Sequence, residues 1–200
     1  MRAEFEIVAA YAITMAYGLF IVDQSTSLLI FNTLAVATPI WILLSNVGSM
    51  VVWLFVAAGI FFWGQFSSMG RKLRGRTAGA VLFFGIWFNA AVAFLLKNMI
   101  ARPRPPYELS VFELVHDYGT SMPSGHAQMA FMAAMILGYY YPKARTPLLA
   151  FAVLIALSRV GIGAHWVLDV LVGAANGLLI AALWLGLPWN RMGDTIQKIF

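Results

Sequence analysis

Lys97 and Arg104, then Ser124 to His126, then Arg159 with His165 and Asp169 interrupt a chain that is otherwise oily. They belong to three short polar stretches: Lys97 to Pro105, Pro123-Ser124-Gly125-His126, and Ser158 to Asp169. The residues first named supply three fixed cations, two histidines and a carboxylate, the groups needed to break a phosphate ester at a membrane surface. An ionisable side chain at the centre of an apolar span costs roughly 2.5–3.5 kcal/mol, so finding one marks a functional-site hypothesis by default. Here they recur at the ends of successive apolar runs.

Each stretch also has a plainer reading. Lys97 and the arginines after it suit interfacial anchors whose aliphatic stems lie in lipid while the charges reach water. They equally suit an anion clamp, with lysine as a point charge and arginine as a planar fork of donors. Pro123 suits a helix start, and the Ser124 and Gly125 N–H groups there can face an anion favoured by the helix dipole. His126 sits one residue further on; it is either a reactive group beside that anion or an incidental interfacial histidine. His165 and Asp169, four residues apart, are expected to share one helix face. A carboxylate on one imidazole nitrogen fixes the tautomer and leaves the other nitrogen as a nucleophile. A purely structural His–Asp bond would explain neither Arg159 nor the gathering of all three stretches. Gly161 and Gly163 are expected to make the turn between Arg159 and His165.

The elements that position these groups follow from composition. Of 200 residues, 62% are hydrophobic and 10% charged, with mean hydropathy +0.82. Soluble domains are about 45–50% apolar and about 25% charged, so this is an integral membrane protein. A spanning helix needs roughly 20 apolar residues, which allows six or so spans and no separate soluble domain. The expected fold is an all-α, polytopic bundle of about six transmembrane helices, a single domain over 1–200. Spans fall at about 5–22, 49–66, 77–96, 127–141, 146–163 and 166–187. Residues 28–44, broken by Asn32, Thr33, Thr38 and Pro39, form an interfacial or re-entrant helical segment. The first span reads as retained, not as a cleaved leader, and Asp23 as a residue at its end.

The net charge of +5 lies in short clusters between apolar runs, which fit topology determinants and anion ligands better than a nucleic-acid surface. The Arg71 to Arg76 loop is the strongest of them and is placed inside. Counting spans from there puts Lys143, Arg145 and the C-terminal tail inside, and all three polar stretches together outside. Six tryptophans (41, 53, 63, 166, 184 and 189) fall near span ends, as an aromatic belt would. Gly173 and Gly177 form a close-packing pair. The chain has no cysteine, which removes disulfides, thiolate metal sites and a cysteine nucleophile.

The order and spacing of Lys97, Arg104 and Pro105, then Pro123 through His126, then Ser158, Arg159, His165 and Asp169 resembles the type 2 phosphatidic acid phosphatase family, the lipid phosphate phosphatases. The glycine two residues before the third-motif histidine is present too, as Gly163. The resemblance extends over about residues 80–187. It implies that Lys97, Arg104 and Arg159 bind the phosphate with Ser124 and the Gly125 N–H, that His165 attacks phosphorus with Asp169 orienting it, and that His126 serves as acid and base. It further implies a metal-independent, cofactor-free reaction on a lipid phosphate or diphosphate, with undecaprenyl diphosphate the leading substrate by analogy. Phosphatidylglycerophosphate, phosphatidate and lipid A phosphates follow, and transfer to an alcohol acceptor is an alternative outcome. A prokaryotic plasma membrane with the site facing outward is the expected setting.

A channel or transporter would place its charges mid-span on several helices. The soluble haloperoxidases that share these motifs do not fit the hydropathy. His116 reads as a surface-loop residue, with a lid or headgroup contact the alternative, and Arg102 as an interfacial anchor, with a contact to a second phosphate the alternative.

Overall fold

The computed structural model describes residues 21–34, 37–66, 69–106 and 119–187, with the backbone alone at 69–73. Residues 5–20 of the first expected span, His116 and Trp189 lie outside these. The described residues form helices and no strands. The helices are α1 (Ile21–Leu34), α2 (Thr38–Val47), α3 (Met50–Gln65), α4 (Met69–Ile100), α5 (Gly125–Tyr140), α6 (Arg145–Gly161) and α7 (Val167–Leu185), with a short 3-10 turn at Pro142–Ala144.

Three helical stretches are long and apolar enough to cross a membrane: Arg74–Ile100, Pro142–Gly161 and Val167–Leu185. The α1–α2 pair makes up to four if it counts as one broken span, bent by 112° between its halves. The expected six is therefore not reached by length among the described residues. At 16 residues each, α3 and α5 are shorter than a full span. The break expected at Asp23 to Ser25 is also absent, because α1 runs helical through these residues. The chain bends instead before Pro39, in the first turn of α2, where a missing N–H is tolerated. The basic stretch 71–76, expected as a loop, lies within α4.

Burial follows the pattern of a membrane protein, with large apolar side chains turned outward. Phe55 on α3, Phe66 just after it, Phe94 on α4, and Leu171, Leu179 and Leu183 on α7 are all more than half exposed. A contiguous apolar surface of this kind needs lipid against it. Small residues face inward and let helices approach closely. A Cβ on Gly79 would stand 2.7 Å from Ala57 O, so α3 and α4 touch backbone to backbone as an antiparallel hairpin.

The centre of the bundle is α5, whose residues Ala127 to Ala130 and Met132 to Ala134 are all buried. Around it pack α4, α6 and α7. The α5–α7 seam is closest where the two glycines lie. A Cβ on Gly173 would stand 2.6 Å from Ser124 O, and one on Gly177 2.2 Å from Gln128 O. That seam fixes the start of α5 against the start of α7.

Several of the tryptophans also tie helices together. Trp53 is buried in the core, Trp41 Nε1 donates to Leu34 O, Trp166 Nε1 to Pro103 O, and Trp184 Nε1 to Val81 O. Trp63, more than half exposed, lies near the end of α3, and Trp166 and Trp184 lie at the two ends of α7.

Candidate active site

The three polar stretches meet at one end of the bundle, where α4 ends, α5 begins and α6 turns into α7. Lys97 lies in the last turn of α4, which continues to Ile100, slightly beyond the expected end. Ala101, at φ +50°, bonds back to Lys97 O at 2.9 Å and stops the helix. Arg102 then precedes a proline, which disfavours the helical conformation. The irregular stretch after it carries Arg104.

Two bonds hold Lys97 and Thr120 to one another: Lys97 Nζ donates to Thr120 O (2.6 Å) and Thr120 Oγ1 donates to Lys97 O (2.9 Å). The end of α4 is thereby tied to the segment entering α5. Ser121 N–H, donating to Arg102 O at 2.8 Å, adds a second tie, ahead of the cis Met122–Pro123 bond. Ser124 N–H donates to Asp169 O at 2.9 Å, joining this segment to α7. Ser124 Oγ is buried and has no hydrogen-bond partner among the described residues. A Cβ on Gly125 would meet nothing within 4 Å, so open space lies beside the N-terminus of α5. His126, half-buried in that first turn, lies 3.4 Å through Cδ2 from where a Cβ on Gly48 would be.

Arg159 is fully buried and donates to Ser45 Oγ on α2, while its own carbonyl accepts from Ala164 and His165 N–H. Gly163, at φ +71°, makes the turn that brings His165 back toward Arg159. Gly161 does not share that task. It ends α6, where a Cβ would stand 3.2 Å from the Trp41 ring.

His165 lies in the turn before α7, so its pairing with Asp169 does not come from a shared helix face as expected. Asp169, in the first turn of α7, folds back instead: its Oδ2 accepts from Trp166 N–H at 2.9 Å and lies 3.4 Å from His165 Nδ1. With Nδ1–H directed at this carboxylate, Nε2 carries the lone pair. Arg104 Nη1 stands 3.5 Å from that Nε2 and donates to Ala164 O at 2.9 Å, while its Nε donates to Gly119 O at 3.1 Å. The lone pair therefore faces a guanidinium that can hold an anion in front of it. Both imidazole distances are long for hydrogen bonds, as is common before a substrate tightens a site.

Two residues assigned elsewhere by sequence belong to this cluster. Arg102 is not an interfacial anchor. It is buried, donates through Nη1 to Asp169 Oδ1 (2.8 Å) and through Nη2 to Asp23 Oδ2 (2.5 Å), and lies over the Trp166 ring. Asp23, in the first described turn of α1, is buried and pairs with Arg102, so it is part of this cluster. The signal was present in the sequence: a carboxylate inside an apolar run meets the same criterion that singled out the other charges.

Among the described residues, a helical bundle with exposed apolar surfaces and a cluster of cations, histidines and carboxylates at one end defines a polytopic membrane protein. The family model of the PAP2 superfamily matches residues 78–193, and the chain belongs to that family. It is 31% identical over 164 residues to a lipid A 1-phosphatase of Rhizobium johnstonii, covering 70% of this chain and 64% of the relative. It is 30% identical over 143 residues to phosphatidylglycerophosphatase B of Bacillus subtilis, covering 66% of this chain and 63% of the relative. The chain thus spans a little under two thirds of the length of these curated relatives. Among solved structures, Aquifex aeolicus LpxE superposes with TM-score 0.62 at 25% identity, covering 82% of this chain and 94% of that one. A transmembrane PAP2-type phosphatidylglycerolphosphate phosphatase from Bacillus subtilis gives TM-score 0.65 at 24% identity, covering 82% and 84%, and supports the fold.

Proposed function

We propose that the chain hydrolyses the phosphomonoester or diphosphate of a membrane lipid through a phosphohistidine on His165. The observation that carries this reading is the polarity of the His165 ring, with Nδ1 toward the Asp169 carboxylate and Nε2 toward Arg104. In the first step Nε2 attacks phosphorus in line, the bond to the lipid oxygen breaks, and His126 protonates that oxygen. In the second step His126, now neutral, takes a proton from water as its oxygen displaces the imidazole. Inorganic phosphate leaves and His165 is restored.

Lys97, Arg104 and Arg159 balance the phosphoryl charge, and Ser124 Oγ with the Gly125 N–H completes the cradle. The orphaned Ser124 hydroxyl and the open space beside Gly125 support that assignment. Metal independence follows from the donor set. Arg102 and backbone N–H groups already hold the Asp23 and Asp169 carboxylates.

Polyprenyl diphosphate is the leading substrate, in keeping with relatives such as the undecaprenyl-diphosphatase of Sulfolobus acidocaldarius, 30% identical over 156 residues. The likeness to the Rhizobium protein favours a lipid A phosphate as second reading. Purified protein in detergent with EDTA, offered polyprenyl diphosphate, lipid A phosphate, phosphatidylglycerophosphate and phosphatidate, is expected to release phosphate fastest from the first. A faster reaction with another lipid would reassign the substrate. Release that requires added metal would remove the metal-free mechanism.

The orientation proposed is a prokaryotic plasma membrane with the site outside. The α4 start (Arg74, Arg76) and the α5–α6 connection (Lys143, Arg145) lie at the helix ends opposite the site. A reporter fused after residue 200 is expected to read cytoplasmic. An external reading would reverse the orientation.

A further inference from the structure

Helix α7 is preceded by Trp166 at its N-cap, whose side chain makes no capping hydrogen bond, yet the first N–H groups of any helix need partners. Two of those partners come from α1, far away in sequence. Val167 N–H donates to Ser27 Oγ (2.8 Å) and Leu168 N–H to Asp23 Oδ1 (2.7 Å). Ser27 Oγ also donates to Asp23 O, so the two capping residues brace one another. The second oxygen of Asp23 holds Arg102, and Arg102 holds Asp169. A buried chain of alternating charge therefore runs from Asp23 through Arg102 and Asp169 to His165.

We propose that Asp23 is a positioning residue for His165, acting through Arg102 to keep the full negative charge of Asp169 available to the imidazole. This rests on the phosphohistidine reading above. Arg102 alone would orient Asp169 but would also cancel its charge, since the pair sums to zero. Adding Asp23 leaves one net negative charge across Asp23, Arg102 and Asp169. That matches the positive charge the imidazole gains when Nε2 bonds to phosphorus while Nδ1 keeps its proton. Inside a protein such interactions are poorly screened, so an unbalanced charge at this point weighs on the chemical step. Asp23 lies outside residues 78–193, so it is not part of what the family model matches.

The test is a double-mutant cycle on the full chain in detergent, with Asp23→Asn, Arg102→Gln and the double variant. Phosphate release from one lipid phosphate gives kcat and KM separately, and thermal unfolding is followed alongside. Asp23→Asn is expected to lower kcat roughly 10–100-fold, the range seen when an outer partner that orients a metal-bound histidine is lost. KM should stay unchanged, because Lys97, Arg104 and Arg159 are untouched. The double variant restores the single net negative charge and should recover kcat above both single variants. A role limited to docking α1 predicts the opposite, a double variant no faster than either single one and unfolding temperatures that fall in step.

Wild-type kcat in Asp23→Asn, or a double variant no faster than the faster single, overturns the proposal. Should Asp23→Asn not fold, the double variant against Arg102→Gln decides alone, because its neutral pair buries no unmatched charge. Release that survives His165→Ala would instead bring down the phosphohistidine reading, and this inference with it.

Discussion

The His165→Ala protein is expected to release no measurable phosphate from any lipid phosphate while keeping its fold and its affinity for the lipid. Loss of a nucleophile removes the covalent route altogether. In hydrolases with a comparable constellation that costs on the order of 10⁴-fold or more, and only binding and charge stabilisation persist. The substitution is gentle on the structure for a reason visible in the bonding of Asp169. Its Oδ1 keeps Arg102 and its Oδ2 keeps the Trp166 N–H when the imidazole is gone. Lys97 and Arg104 are anchored by the backbone carbonyls of Thr120 and Ala164, not by His165, so the phosphate ligands should stay in place. Phosphate assay and lipid binding measured on the same preparation separate the two effects. Retained release at even a tenth of the wild-type rate would be incompatible with His165 as nucleophile.

Gly177→Val should abolish the stable protein. A Cβ at 177 would stand 2.2 Å from Gln128 O and 3.1 Å from Met132 N, both backbone atoms of α5. Backbone in the middle of a buried helix cannot swing aside as a side chain can, so α5 and α7 would have to part. Overpacking a core commonly costs about 1–3 kcal/mol. The upper end or beyond is expected here, because the obstacle is a carbonyl and valine adds two further methyls. In a protein whose total stability is about 5–15 kcal/mol that is a large fraction. The same seam carries Ser124 O against Gly173, so any variant that survives should hold Ser124 and His126 away from His165. Thermal unfolding in detergent and residual phosphate release should therefore fall together. A Gly177→Val protein with wild-type stability would show that the α5–α7 seam is wider than described.

The chemistry of the site was legible because it is written in residue types that an apolar helix rarely carries. Lys97, His126, Arg159, His165 and Asp169 each stand out against an oily background, and hydropathy with helix direction was enough to bring them to one end. The Gly173–Gly177 pair was legible for a similar reason, since small residues four apart in a span are a packing signal.

What the sequence withheld was pairing across long separations. Nothing local connects Asp23 with Arg102, 79 positions away, or Ser45 with Arg159, 114 positions away. Asp23 was read as the end of a span because a carboxylate is costly within one. The cost is offset by Arg102 and the Leu168 N–H, so α1 runs on through it. The span expected at 49–66 is trimmed to the 16 residues of α3, while the one expected at 127–141 forms as α5 at about its expected length. Apolar composition marks where a helix is buried, and α5 is buried by protein on nearly every side.

The central claim is the covalent step, and rapid quenching of the purified protein during turnover tests it most directly. A lipid phosphate labelled in its phosphoryl group is mixed with protein and quenched in base, and the label is then located by peptide mapping. The prediction is a base-stable, acid-labile phosphoramidate on His165, accumulating in the His126→Ala protein if that residue limits its hydrolysis, with retained configuration at phosphorus over the whole reaction. Full turnover with no label on His165 and with inversion at phosphorus would mean that water attacks directly, and the assignment of His165 as nucleophile would be wrong.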